Sequence, residues 1–250
     1  MANDFLAAQS RAVLAAYAGG MGVPESAFES GELLIAERPA PAPWPYLALA
    51  VSCPGGTVLS VAPDLVTAAE DLRPARPNQA VRPEFLRRMT VVAEQSGRRT
   101  HLDGPNISWA LGRTPDAPAL PADLRFELKD AAWMNELLGP GEFPNGVGEP
   151  GPMSREVRNR YAVAILDAAD QPVAIAGAFY TFGLTEVGID VVPGRQGEGL
   201  GVAAVVAVTR EILARGETPL YGCATDNIRS QRTAWAAGFV PLFADAVIDG

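Results

Sequence analysis

Val191-Val192-Pro193-Gly194-Arg195-Gln196-Gly197-Glu198-Gly199-Leu200-Gly201 runs without a break into Val202-Ala203-Ala204-Val205-Val206. The β-branched pair suits a strand, Pro193 cannot continue a ladder, and the apolar run after Gly201 has the composition of a buried helix. Between them lies a loop with glycine at 197, 199 and 201. Such a strand–loop–helix unit leaves several backbone N–H groups without partners at the positive end of a helix dipole. It is a site for a phosphate-sized anion. Glycine lets the backbone approach that anion without a Cβ in the way.

The chain on either side reads as follows. Leu124–Leu128 is expected as a strand and Lys129–Leu138 as a helix, followed by a Gly/Pro-rich loop over Gly139–Met153. Strands follow at Tyr161–Leu166, Val173–Phe182 and Glu186–Val192, joined by turns at Asp167–Gln171 and Gly183 that are too short for parallel crossovers. The helix after the loop spans Leu200 to about Ala214 and ends before Gly216. A strand Pro219–Ala224, a short helix Ile228–Ala237 and a strand Val240–Ile248 complete the order. Ala110–Pro121 has three prolines and no periodicity, and reads as a linker. Two domains are expected, residues 1–118 and 119–250. The first is a smaller α+β domain with a helix at 3–18, strands at Leu33–Glu37, Tyr46–Ser52, Thr57–Val61 and Ile107–Leu111, helices near Pro63–Leu72 and Pro83–Ser96, and a surface loop over Arg73–Pro83.

Composition narrows the function classes. The 29 acidic against 20 basic residues leave a net charge of −9, which disfavours nucleic-acid binding and suits a cationic substrate. One histidine, His101, and two distant cysteines, Cys53 and Cys223, provide no metal cluster, so no metal is expected. Asn3–Tyr17 lacks a basic leader and no apolar run approaches the roughly 20 residues of a membrane span. A cytoplasmic protein with reduced thiols and no membrane partner is expected.

Three phosphate ligands compete for the loop. A mononucleotide loop ends in Gly-Lys-Ser/Thr, whereas Gly201 is followed by Val202. A dinucleotide fingerprint counted from Gly197 meets Val202 where it needs its third glycine, and it also expects an open parallel sheet. The third ligand is a coenzyme A thioester. Gln196-Gly197-Glu198-Gly199-Leu200-Gly201 resembles the Q/R-x-x-G-x-G/A signature of the GCN5-related N-acetyltransferase (GNAT) family, and Asn227-Ile228-Arg229-Ser230 with Gly238-Phe239 resembles its later N-x-x-S…G-F segment. The element order over about residues 119–250 is similar as well.

That resemblance implies a mixed α/β (α+β) fold with a mainly antiparallel sheet flanked by helices, binding acetyl-CoA as co-substrate. Backbone groups of Val191 and Val192 would meet the pantetheine arm where two strands splay apart at a bulge. The amides of Gln196, Gly197, Glu198, Gly199, Leu200 and Gly201 would cradle the pyrophosphate. Asn227 would contact the pantetheine end, and Ser230 would either contact the coenzyme or cap its helix. The base that takes the acceptor's proton is expected at Glu186, with Asp190 on the same strand face by period-two alternation. Many family members carry a tyrosine four residues before the Gly-Phe pair as acid for the thiolate. Ala234 stands there instead, so Tyr221, Tyr180 or water must serve. The implied activity is acetyl transfer to a primary amine of a small molecule or peptide. The alternative is a non-catalytic acyl-CoA-binding or sensing module. A homodimer fits either reading, and whether residues 1–118 are a degenerate copy of the same fold stays open.

Overall fold

The computed structural model describes residues 2–40, 46–139, 141–148 and 158–250. Among these the chain is a mixed α/β fold whose strands are mainly antiparallel and flanked by helices. It divides into two compact units. The first comprises Met1–Gln9, Trp109–Gly222 and Ile228–Val240, and the second Ser10–Ser108, Cys223–Asn227 and Pro241–Gly250.

The second unit contains most of α1 (Ala2–Met21), strands β1 (Leu33–Glu37), β2 (Ala48–Cys53) and β3 (Gly56–Val61), and helices α2 (Val66–Asp71) and α3 (Pro83–Gln95). β4 (His101–Leu111) and β10 (Phe239–Asp249) contribute most of their length. The strand order is β1-β3-β2-β10-β4, with β1 parallel to β3 and β2 antiparallel to both β3 and β10. Leu59, Leu65, Phe85, Leu86, Met89 and Ile248 lie in its core. Two expectations are corrected here. β4 begins at His101 rather than Ile107, because sheet pairing overrides the turn-forming composition of its first half. The expected surface loop over Arg73–Pro83 contains a 3-10 helix, Pro77–Val81, with Ala80 and Val81 buried.

The first unit carries strands β5 (Arg125–Asp130), β6 (Asn159–Leu166), β7 (Pro172–Thr181), β8 (Leu184–Val191) and β9 (Pro219–Ala224), the last residues of which fall in the other unit. They lie in the order β9-β8-β7-β6-β5. β5 to β8 form an antiparallel meander, and β9 is parallel to β8. Helix α6 (Leu200–Ala214) makes the crossover from β8 to β9, as a parallel pair requires. It packs on one sheet face, and α7 (Ile228–Ala236) runs beside it. Its apolar residues Leu200, Ala203, Ala204, Val208 and Ile212 are buried.

The opposite face is covered by α4 (Ala131–Glu136) and a four-residue helix, α5 (Pro144–Val147), over Met134, Phe143, Ile175 and Phe179. The helix expected over Lys129–Leu138 is shorter, because Lys129 and Asp130 finish β5 and the Asp130 carboxylate accepts the Trp133 N–H at 2.9 Å as an N-cap. Of the loop expected over Gly139–Met153, residues 140 and 149–153 lie outside the described residues. The described part is not simply loop: Pro144 opens α5 at a position where proline is favoured.

α5 touches the sheet through backbone. Gly177 of β7 pairs with Gly188 of β8, and a Cβ built on Gly177 would lie 2.0 Å from the Gly146 carbonyl oxygen. Gly177, with the Ile175 carbonyl 2.6 Å from a Cβ built on Gly146, is therefore the seat of α5. Gly177→Ala is expected to lift α5 off the sheet and cost roughly 3 kcal/mol, read as a lower urea midpoint.

In the second unit, burial pushes the Cys53 thiol up to about 11 from its ordinary 9.0. The thiol's folded-state value is raised, so its contribution to stability is present below pH 9 and lost as pH rises toward 11. Urea midpoints measured at pH 8 and pH 10.5 should fall less in Cys53→Ala than in the parent chain.

Candidate functional site

β8 and β9 pair over only three residues, Thr185–Val187 with Pro219–Tyr221, although β8 runs on to Val191. A bulge was expected at this divergence. Instead β7 and β8 keep one register over eight pairs, from Thr181↔Leu184 to Ala174↔Val191, so β8 stays with β7 and the opening lies on its β9 side. The Val192 N–H donates to the Val173 carbonyl at 3.0 Å and is thus committed to β7. By strand alternation the backbone of Val191 faces the other way, toward the opening. Its carbonyl accepts the Gln196 side-chain amide at 3.2 Å.

Pro193–Arg195 form a single 3-10 turn, and the glycine loop follows. Gly197 has φ +90° and Gly199 φ +81°, conformations that glycine adopts at little cost. A Cβ at either would meet nothing within 4 Å among the described residues, and the backbone conformation by itself calls for glycine there. At Gly201, already in α6, a Cβ would lie 3.4 Å from the Val191 side chain. Gly199 is the N-cap of α6, with no side-chain cap and no acidic residue in the first turn. The first intrahelical acceptor bond is Ala203 N–H to the Gly199 carbonyl at 3.0 Å, so the amides of Leu200, Gly201 and Val202 have no helical partner. Leu200 keeps its side chain buried and offers only its amide.

The charges around the loop are arranged in pairs. Glu198 is the one acid inside it, and Arg195 holds its carboxyl below the usual carboxylate range through bonds of 2.8 and 2.9 Å. Arg229 of α7 donates to the Gln196 side-chain oxygen, a neutral partner. Gln196 therefore bridges the Val191 carbonyl and a guanidinium. Arg229 was not among the expected site residues, although it stands inside Asn227-Ile228-Arg229-Ser230; its charge was the available signal.

The three expected catalytic groups have different surroundings. Glu186 pairs in register with Leu220, and Tyr221 with Val187, so these two side chains leave the sheet on opposite faces. The Glu186 carboxylate accepts the Arg158 guanidinium at 2.7 Å and the Thr181 hydroxyl at 2.8 Å. Tyr221 is buried, its hydroxyl 2.8 Å from the Ser230 hydroxyl of α7 and its ring packed near Phe239. Ala234, fully buried, lies one helical turn beyond Ser230. A phenol thus reaches α7 from β9 rather than from α7 itself. Tyr180, the other tyrosine considered, is half-exposed at the end of β7. Asn227 is exposed, with its N–H on the Ala224 carbonyl, in the turn before α7.

Asp190, expected to share a base role, is instead the cap of α5. It accepts the Asn145 N–H at 2.5 Å, the Gly146 N–H at 2.8 Å and the Asn145 side-chain amide at 2.8 Å. A carboxylate with three donors is anchored rather than available. Asp190→Ala should release α5, seen as faster hydrogen exchange at the Asn145 and Gly146 amides with β7 and β8 still protected.

A cavity of about 460 Å³ adjoins the loop, lined by Gly199, Val202, Ala203 and Val206 of α6, Ala236 and Ala237 after it in sequence, and residues 113–119. No group of histidine, cysteine or acidic side chains among the described residues could hold a metal ion.

Solved structures similar to this chain include several GCN5-related N-acetyltransferases. A GCN5-related N-acetyltransferase-like protein of Streptococcus suis shares 16% identity over 64% of this chain and 66% of its own, with a TM-score of 0.44. A family member from Sphaerobacter thermophilus shares 16% over 65% of this chain and 55% of its own, with a TM-score of 0.43. An acetyltransferase of the family from Colwellia psychrerythraea shares 11% over 76% and 75%, with a TM-score of 0.42. No protein-family model and no curated protein matches the chain.

Proposed function

We propose that the chain is an acyl-CoA-dependent N-acyltransferase, with acetyl-CoA as donor and a primary amine of a small molecule or peptide as acceptor. The observation that carries this reading is the uncapped N-terminus of α6, opened by a left-handed Gly199, beside the point where β8 and β9 part. A diphosphate fits those donors, and a thioester arm extending from it would enter the opening beside Val191. Residues 119–250 would then hold the coenzyme. The two free cysteines suit a reducing, cytoplasmic setting. No helix among the described residues is long and apolar enough to cross a membrane.

Bound coenzyme supplies an activated acyl carbon: the acceptor nitrogen's lone pair forms a C–N bond to it, the C–S bond breaks, and that electron pair leaves on sulfur. In this reading the first turn of α6 holds the diphosphate and Arg229 adds positive charge, while Arg195 masks Glu198. Glu186 takes the proton that the acceptor nitrogen loses, directly or through one water. Tyr221 donates its proton to the departing sulfur, with Ser230 as its hydrogen-bond partner. Because these two groups lie on opposite faces of the sheet, the proton leaves on the α5 side and enters on the α7 side.

Calorimetric titration with acetyl-CoA should give binding, and an amine panel should release thiol. Gly199→Val is expected to abolish binding, since it forces a β-branched residue into positive φ beneath the anion. Tyr221→Phe and Glu186→Gln should each lower kcat about 100-fold with coenzyme affinity retained. Absence of coenzyme binding at millimolar concentration would overturn the proposal. The ion pair at Glu186 favours a second reading, a binding or sensing module, which binding without thiol release and without effect of Glu186→Gln would select.

A further inference from the structure

Arg158 is fixed independently of Glu186. Its backbone carbonyl accepts the Tyr180 N–H at 2.8 Å, its Nε donates to the Tyr180 carbonyl at 2.8 Å, and the guanidinium also reaches the Thr181 hydroxyl. Glu186 is placed by β8 and accepts the same Thr181 hydroxyl at 2.8 Å. The two side chains, 23% and 21% exposed, form a cation and an anion held side by side at 2.7 Å, with the Thr181 hydroxyl bonded to both. Beside them, among the described residues, a Cβ on Gly222 would meet only the Glu186 Oε1, at 3.4 Å. Glycine at 222 leaves room for a small group against the carboxylate.

A site built from one cation and one anion is neutral as a pair. A simple alkylammonium drawn to Glu186 would be placed beside the Arg158 guanidinium, like charge against like charge, and would compete with that guanidinium for the carboxylate. A ligand carrying both charges on neighbouring atoms avoids both penalties, because its carboxylate takes the guanidinium fork as its ammonium takes the Glu186 carboxylate. We infer that the Arg158–Glu186 pair is an exchange site for a zwitterion, and that the acceptor is a free α-amino acid. This inference rests on the acyl-transfer reading above and gives its acceptor a chemical class. The ammonium loses two protons: the first passes to Glu186 and on to solvent, freeing the lone pair that forms the C–N bond, and the second passes to the re-ionised Glu186 as the C–S bond breaks, while Tyr221 protonates the sulfur and regains its proton from solvent. The carboxylate stays on Arg158, which binds acceptor and takes no part in proton transfer.

The test uses matched acceptors with saturating acetyl-CoA and thiol release as readout: each of the common L-amino acids, its amide, and its decarboxylated amine. At least one amino acid should exceed its own amine and amide by tenfold or more in kcat/KM, mainly through KM. In Arg158→Ala that ratio should collapse toward one, and Arg158→Lys should restore part of it. Coenzyme affinity measured by calorimetry reports that each variant is folded. Equal kcat/KM for amino acid and decarboxylated amine in the parent chain would overturn the inference while leaving acyl transfer standing. A ratio unchanged in Arg158→Ala would do the same. If coenzyme binds but no member of this panel and no peptide amine elicits thiol release, the acyl-transfer reading falls and this inference with it.

Discussion

Parallel strands β8 and β9 are held together over only three residue pairs, and the first unit is arranged around the point where they part. β8 cannot follow β9, because its other edge is locked to β7 in an unbroken register and its last amide is tied to Val173. The connection between two parallel strands must cross over, and here it crosses as α6. The positive end of that helix is thereby set at the mouth of the opening. A bulge would have re-aimed one strand; the constraint here is pairing on one edge and none on the other.

Each sheet face contributes something different to this opening. On one face α6 and α7 lie side by side, and α7 presents Ser230 to the Tyr221 hydroxyl and Arg229 to Gln196. On the other, α5 sits directly on Gly177, and Asp190 holds it there by the Asn145 and Gly146 amides. Two carboxylates on the same strand, four residues apart, thus have separate tasks. Asp190 is saturated by backbone donors and anchors a loop. Glu186 faces a guanidinium and a hydroxyl, partners that a charged ligand can replace in kind. The difference arises from what is packed against each position, α5 in one case and Arg158, Thr181 and Gly222 in the other.

Much of this was legible in the chain itself. The α6 boundaries and those of β9 agree with the sequence reading, because Pro, Gly and apolar periodicity mark both ends of each. The meander was legible from period-two patterning and from turns too short for crossovers. Other features were not. Nothing local announces that His101–Asn106 is strand, since Asp, Gly and Pro favour turns and only pairing makes it one. Ala80 and Val81 read as loop because the composition around them is polar, yet they are buried in the core. Arg158, Arg195 and Arg229 are three of many arginines in the sequence, and no spacing separates the ones that meet Glu186, Glu198 and Gln196 from those that meet solvent.

The sequence alone determined where the backbone must turn, which residues can adopt positive φ, and where a helix begins without an acidic or side-chain cap. These are local properties, set by the steric freedom of Gly197 and Gly199, the missing N–H of Pro193 and the run of small apolar residues after it. Only the tertiary structure decided which carboxylate is anchored and which faces an exchangeable cation. It also decided that Tyr221 delivers to α7 the hydroxyl that Ala234 lacks. The physical reason is that a strand residue's face and partner depend on register with strands far away in the chain. A one-residue change of pairing would send each of these side chains to the other face of the sheet.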